Sequence, residues 1–85
     1  MTVALYPGRF DPATLGHLDI VSRASKIFDR VIIAVYEGEP GSQFFDTESR
    51  MELLERSVGS VKNIEIQSFD GLVVDYARKS GAQVI

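Results

Sequence analysis

Eighty-five residues leave room for one small domain, and with 45% hydrophobic and 25% charged residues the chain has the makeup of an ordinary globular one. A formal net charge of −3 argues against nucleic acid as the main partner, because domains that bind it carry a basic face. Without cysteine, a basic leader or an apolar run near the roughly 18 residues of a membrane span, a disulfide scaffold, a secretory signal and a membrane anchor are not expected, and a cytoplasmic location is.

The first element is a continuous apolar run, Val3-Ala4-Leu5-Tyr6, as in a strand covered on both faces. Tyr6-Pro7-Gly8-Arg9-Phe10-Asp11-Pro12-Ala13-Thr14-Leu15-Gly16-His17 then reads as a turn. Pro7 and Pro12 stiffen it and push their preceding residues toward extended backbone. Gly8 and Gly16, lacking a Cβ, let a ligand approach the main chain. Residues 18–28 set Leu18, Ile20, Val21, Ala24, Ile27 and Phe28 at helical spacing, with polar residues on the other side. His17, the only histidine, stands where this helix should begin. Unpaired N–H groups and the positive end of the helix dipole favour a phosphate there. They also favour a neutral imidazole, which still donates one N–H.

Residues 31–36 are β-branched and apolar, as in a central parallel strand. Residues 37–43 form a loop by their Gly, Pro and Ser content. Asp46 is a good N-cap, Met51, Leu54 and Val58 make the buried stripe of a second helix, and Gly59 stops it. Residues 63–69 alternate polar and apolar, which suits an edge strand. Asp70-Gly71 turns. Leu72, Val73, Tyr76 and Ala77 line a third helix that Gly81 ends. Ala82-Gln83-Val84-Ile85 opens a fourth strand. The alternation predicts a single α/β domain with a parallel sheet and right-handed crossovers.

Thr14-Leu15-Gly16-His17 with Ile20 resembles the T/H-x-G-H signature of the nucleotidyltransferase superfamily. The lead-in Tyr-Pro-Gly-x-Phe-Asp-Pro, with Thr opening the signature, is similar to bacterial phosphopantetheine adenylyltransferases. The likeness runs through the whole chain but covers about the first half of such an enzyme. It implies a five-stranded Rossmann-like sheet of order 3-2-1-4-5, which this chain leaves inside strand four. The ligand then sits beyond the strand carboxyl ends, between strands one and four. The implied reaction is adenylyl transfer from ATP to 4′-phosphopantetheine, giving dephospho-coenzyme A and pyrophosphate. A homohexamer is implied, and so is Mg²⁺ accompanying ATP, although no set of protein ligands for the ion stands out.

By the same resemblance His17 steadies the α-phosphate as charge develops. Gly8, Arg9, Phe10, Gly16 and His17 meet ATP, and Arg9, Gly41 and Val73 meet phosphopantetheine. Local readings stand beside these. His17 could only cap or pack, Thr14 could cap the helix or touch ligand, Phe10 could be a core aromatic, and Val73 could be packing. Two positions depart from the family. Arg9 stands where a Thr or Ser is usual, and Gly41 where a phosphate-binding Lys is common, so Arg9 is expected to replace that lysine's charge. The family's Arg-Gly-Leu-Arg turn after strand four and its later Ser-rich loop lie outside these 85 residues, which on their own are expected to be inactive. Alternatives are a nicotinate mononucleotide adenylyltransferase, a cytidylyltransferase, or a non-catalytic domain that binds nucleotide or only assembles. A generic dinucleotide fold is disfavoured by the lack of G-x-G-x-x-G.

Overall fold

The structure, a computed structural model, describes residues 2–38 and 45–84. Strand and helix alternate as β1 (Val3–Gly8), α1 (Leu15–Ile27), β2 (Arg30–Tyr36), α2 (Thr47–Val58), β3 (Ile64–Phe69) and α3 (Val73–Ser80). All strand pairs are parallel, in the order β1-β2-β3. On the free side of β1, Leu5 N–H donates to Val84 O at 2.8 Å and Gln83 N–H to Val3 O at 2.9 Å. The last segment therefore enters beside β1, as a Rossmann-like sheet of order 3-2-1-4 requires, but within the described residues it makes a single bridge, Ala4 to Val84.

The strand period of two sorts the core. Val31, Ile33 and Val35 of β2 pack with Val21, Leu54, Val58, Ile64 and Phe10 on the face that α1 and α2 cover. Ile32 and Ala34 pack with Val3, Leu5, Phe69 and Ala77 on the α3 face. Five consecutive residues of β2 are buried, so their unbroken hydrophobicity reports a strand covered on both sides. β3 is the edge strand that its alternation predicts. Along it Glu65 receives a fork from Arg30, Nε at 2.8 Å and Nη2 at 2.5 Å, and also accepts from Gln67 Nε2 at 3.2 Å. Tyr76 Oη donates to Gln67 Oε1, closing a polar row under α3.

Helix ends follow their local chemistry. Asp46 accepts from Ser49 N–H at 2.7 Å, the predicted N-cap of α2. Asn63 Nδ2 donates to Ser25 O and Phe28 O at 2.7 and 3.2 Å, which closes the end of α1. Gly81 adopts the left-handed conformation that ends α3, with φ 75°.

Five expectations need correction. β1 runs to Gly8 rather than Tyr6, and α1 starts at Leu15 rather than Leu18, because Thr14 caps it. Ile20 and Ile27 are exposed, and only Val21 of the apolar residues of α1 is fully buried; Ile20 borders a hollow with Ala4 and Val84 that the described residues leave open. Leu72 is exposed and precedes α3 rather than lining it. In α2 the most deeply buried side chains are Arg50 and Leu54, while Met51 is half-buried. No helix among the described residues is long and apolar enough to cross a membrane.

Candidate nucleotide and acceptor site

The turn after β1 is shaped by Phe10. Its backbone is left-handed, φ 51°, a conformation that costs a bulky residue about 1–3 kcal/mol. Burying its ring offsets about that much; Phe10 is only 3% exposed. The ring meets Tyr6 edge-on at 5.4 Å between centroids and His17 at 5.0 Å. Gly8 makes room for it: a Cβ there would lie 3.2 Å from the Phe10 ring. The absent side chain of Gly8 is thus explained by the fold before any ligand is invoked. Phe10 turns out to be a core aromatic, and what it can offer a ligand is main chain.

Thr14 and His17 form a reciprocal cap at the start of α1. His17 N–H donates to Thr14 Oγ1 at 3.3 Å, and Thr14 N–H donates to His17 Nδ1 at 2.9 Å. His17 occupies the position that Glu or Gln fills in the usual capping box. A backbone N–H can only donate, so Nδ1 is the bare acceptor and the proton sits on Nε2. Nε2 has no partner among the described residues. Gly16 lies within this same first turn. A Cβ added there would meet only Thr14 Oγ1, at an ordinary 3.6 Å, so nothing in the fold demands glycine.

A cleft of about 350 Å³ opens at the carboxyl ends of the three strands. Pro7, Gly8 and Arg9 form one side, Tyr36 and Phe69 the floor, and Leu72 and Val73 the far wall. The walls are apolar except for Arg9, whose guanidinium carbon lies 5.8 Å from the Tyr36 ring centroid. The predicted residues therefore fall into two groups on either side of one turn. Gly8, Arg9 and Val73 share the cleft, whereas Phe10, Gly16 and His17 lie behind it at the head of α1. Gly41 lies outside the described residues.

Sequence reasoning missed Arg50. It is 1% exposed, the one buried charged side chain among the described residues. Its Nη1 donates to the carbonyls of Arg9 and Tyr36, both at 2.8 Å, and its Nη2 to Thr47 Oγ1 at 3.0 Å. Asp11 Oδ1 also ties the turn to the start of α2, accepting from Phe45 N–H at 2.8 Å. The available signal was phase: 50, 54 and 58 are four apart, so Arg50 continues the stripe of Leu54 and Val58.

A parallel sheet with a helix N-terminus on one side of the turn after β1 and, among the described residues, an apolar cleft with a single cation on the other has the architecture of a Rossmann-like nucleotidyltransferase fold. The chain belongs to the cytidylyltransferase-like family, which it matches over residues 5–85. It is similar to the phosphopantetheine adenylyltransferase of Clostridium kluyveri, 47% identical over 85 residues, all of this chain and 52% of that protein. The enzyme of the same name from Synechococcus sp. is 48% identical over 83 residues, 98% of this chain and 52% of that protein. That from Heliobacterium modesticaldum is 47% identical over 85 residues. The chain thus spans about half the length of the curated relatives it matches.

Proposed function

We propose that the protein transfers the adenylyl group of ATP to 4′-phosphopantetheine, giving dephospho-coenzyme A and pyrophosphate. A phosphate oxygen of the acceptor attacks the α-phosphorus of ATP. The bond to the β-phosphate bridging oxygen breaks, and pyrophosphate leaves in line. No enzyme nucleophile is needed, so the protein's part is to position both substrates and to stabilise charge on the α-phosphate. His17 donates Nε2–H to an α-phosphate oxygen while Thr14 fixes its ring. Gly16 lets the phosphate close on the first turn of α1, whose N–H groups and dipole add to the donor set. Arg9 meets the acceptor's phosphate, and Val73 with Leu72 and Phe69 walls its uncharged arm.

The cleft carries this proposal. An apolar trough with one cation at its side suits an acceptor with an anionic end and a long amide arm better than a nucleotide acceptor, which is polar throughout. Among the described residues no group of three or more His, Cys, Asp or Glu converges, so no step is assigned to a protein-held metal. Mg²⁺ is expected to arrive with the phosphates of ATP. Cytoplasmic location and assembly into a hexamer belong to the same proposal and rest on the family likeness. The test is mass spectrometry of the adenylylated product, with the full-length protein offered 4′-phosphopantetheine and nicotinate mononucleotide in parallel. Product from phosphopantetheine alone is expected. Product from the mononucleotide alone would move the protein to the other branch of the family.

A further inference from the structure

Arg50 sits in α2, away from the segments whose motifs point to chemistry, yet its guanidinium reaches the carbonyl of Arg9, the one cation of the cleft among the described residues, and the end of β2 beside it. Its Nη1 bridges the carbonyl of Arg9, just past β1, and that of Tyr36, the last residue of β2, both at 2.8 Å. Its Nη2 holds Glu37 O at 3.3 Å and Thr47 Oγ1 at 3.0 Å, and Nε reaches Asp46 O at 3.4 Å. These contacts employ all the N–H donors of a guanidinium. Arg9 and Tyr36, the residues bridged, are also the pair whose side chains stack at the cleft, 5.8 Å apart. If α2 needed only to be anchored, an apolar side chain at this phase would suffice, as at Leu54 and Val58. Burying a guanidinium is costly unless each donor is matched, so the match to these carbonyls calls for its own reason.

We propose that Arg50 is a positioning residue for the acceptor. By clamping the Arg9 and Tyr36 carbonyls it fixes the direction in which the Arg9 guanidinium leaves the backbone, and so where the acceptor's phosphate is met. This rests on the acceptor site proposed above. Lysine cannot replace it. Its single ammonium keeps the charge and could meet one or both carbonyls that Nη1 bridges, but it cannot also hold Glu37 O, Thr47 Oγ1 and Asp46 O, the contacts by which Nη2 and Nε fix the plane of the guanidinium.

The test uses the full-length protein with Arg50→Lys, Arg9→Ala and the double variant. Arg50→Lys is expected to raise the acceptor KM about tenfold while the ATP KM moves less than about twofold. Adding it to Arg9→Ala should cost nothing more, because its effect passes through Arg9. Additive losses, or an unchanged acceptor KM in a folded Arg50→Lys protein, would overturn the positioning role. Should Arg50→Lys fail to fold, Thr47→Val removes one Nη2 partner and is expected to raise the acceptor KM about threefold. Hydrogen exchange gives a readout that needs no turnover. Peptides covering residues 6–11 should exchange about tenfold faster in Arg50→Lys, with β3 unchanged. A loosened turn in a protein that adenylylates nothing would sink the reaction and keep the clamp. An unmoved turn would sink the clamp.

Discussion

Thr14 and His17 hold each other through main-chain N–H groups, and the imidazole is what lets one residue serve two partners. Nδ1 is taken by Thr14, while Nε2 lies across the ring and keeps its proton. Glu or Gln at this position would complete the cap equally well. Gly16 raises the same question from the other side. Glycine within a helix costs about 0.5–1 kcal/mol relative to alanine, and here a Cβ would have room. Gly16→Ala is therefore expected to raise the melting temperature slightly and to weaken ATP, with its KM up about tenfold if a phosphate closes on that turn. Thermal melts and an ATP titration check both halves. An unchanged KM would mean that no ligand approaches Gly16.

At the scale of the elements, what could be read in advance was what is local. The Asp46 cap, the β-branched run of β2 and the Gly81 stop depend on neighbours in sequence, and each stands where the sequence put it. Arg50 could not be read that way, because its partners are, Thr47 Oγ1 apart, carbonyls from three separate segments, at Arg9, at Tyr36 and Glu37, and at Asp46, and carbonyls carry no residue signature. The two readings of Phe10, core aromatic or ligand contact, could not be separated for a similar reason: its burial depends on a left-handed backbone that nothing in the sequence announces. The carboxylates of these elements also set an acid limit. The Ser49 N–H, and then its hydroxyl, hold the Asp46 carboxyl below its ordinary range. The fork from Arg30 does the same for Glu65. Both groups bind protons more weakly folded than unfolded, so their contribution is complete above the ordinary carboxylate range. It is lost as pH falls through that range to the lowered folded values. The melting temperature should stay level from about pH 7 to 5 and fall below that. Pairing Asp46→Asn, which can still cap, with Glu65→Gln should flatten the fall. An equally steep decline in that double variant would place the acid limit elsewhere.

Across the whole molecule, the strand order on one side of the switch point is present, and the other side begins with Val84 beside Ala4. A second apolar hollow of about 330 Å³ lies there, lined by Ala4, Tyr6, Ile20, Ala24 and Val84 among others. Helical spacing put Ile20 on an apolar face but could not say that the described residues leave it uncovered, because spacing fixes a face and not what packs against it. The site shows the same division. Thr14, Gly16 and His17 are candidates singled out by their motif, and Arg9 with Val73 by family likeness. That the two sets lie on opposite sides of the Phe10 turn emerges only from the packing.

The central claim is that His17 serves the fold through Nδ1 and adenylyl transfer through Nε2. His17→Gln separates the two, because glutamine restores the acceptor of the capping box but places no donor across a ring. Pyrophosphate release from ATP with 4′-phosphopantetheine, measured on the full-length protein and this variant, is the most direct test. The predicted result is a loss of about 100-fold or more in kcat, with a melting temperature within about 2 °C of the parent. Turnover close to the parent's in a variant that melts normally would contradict the claim and leave His17 a helix cap alone.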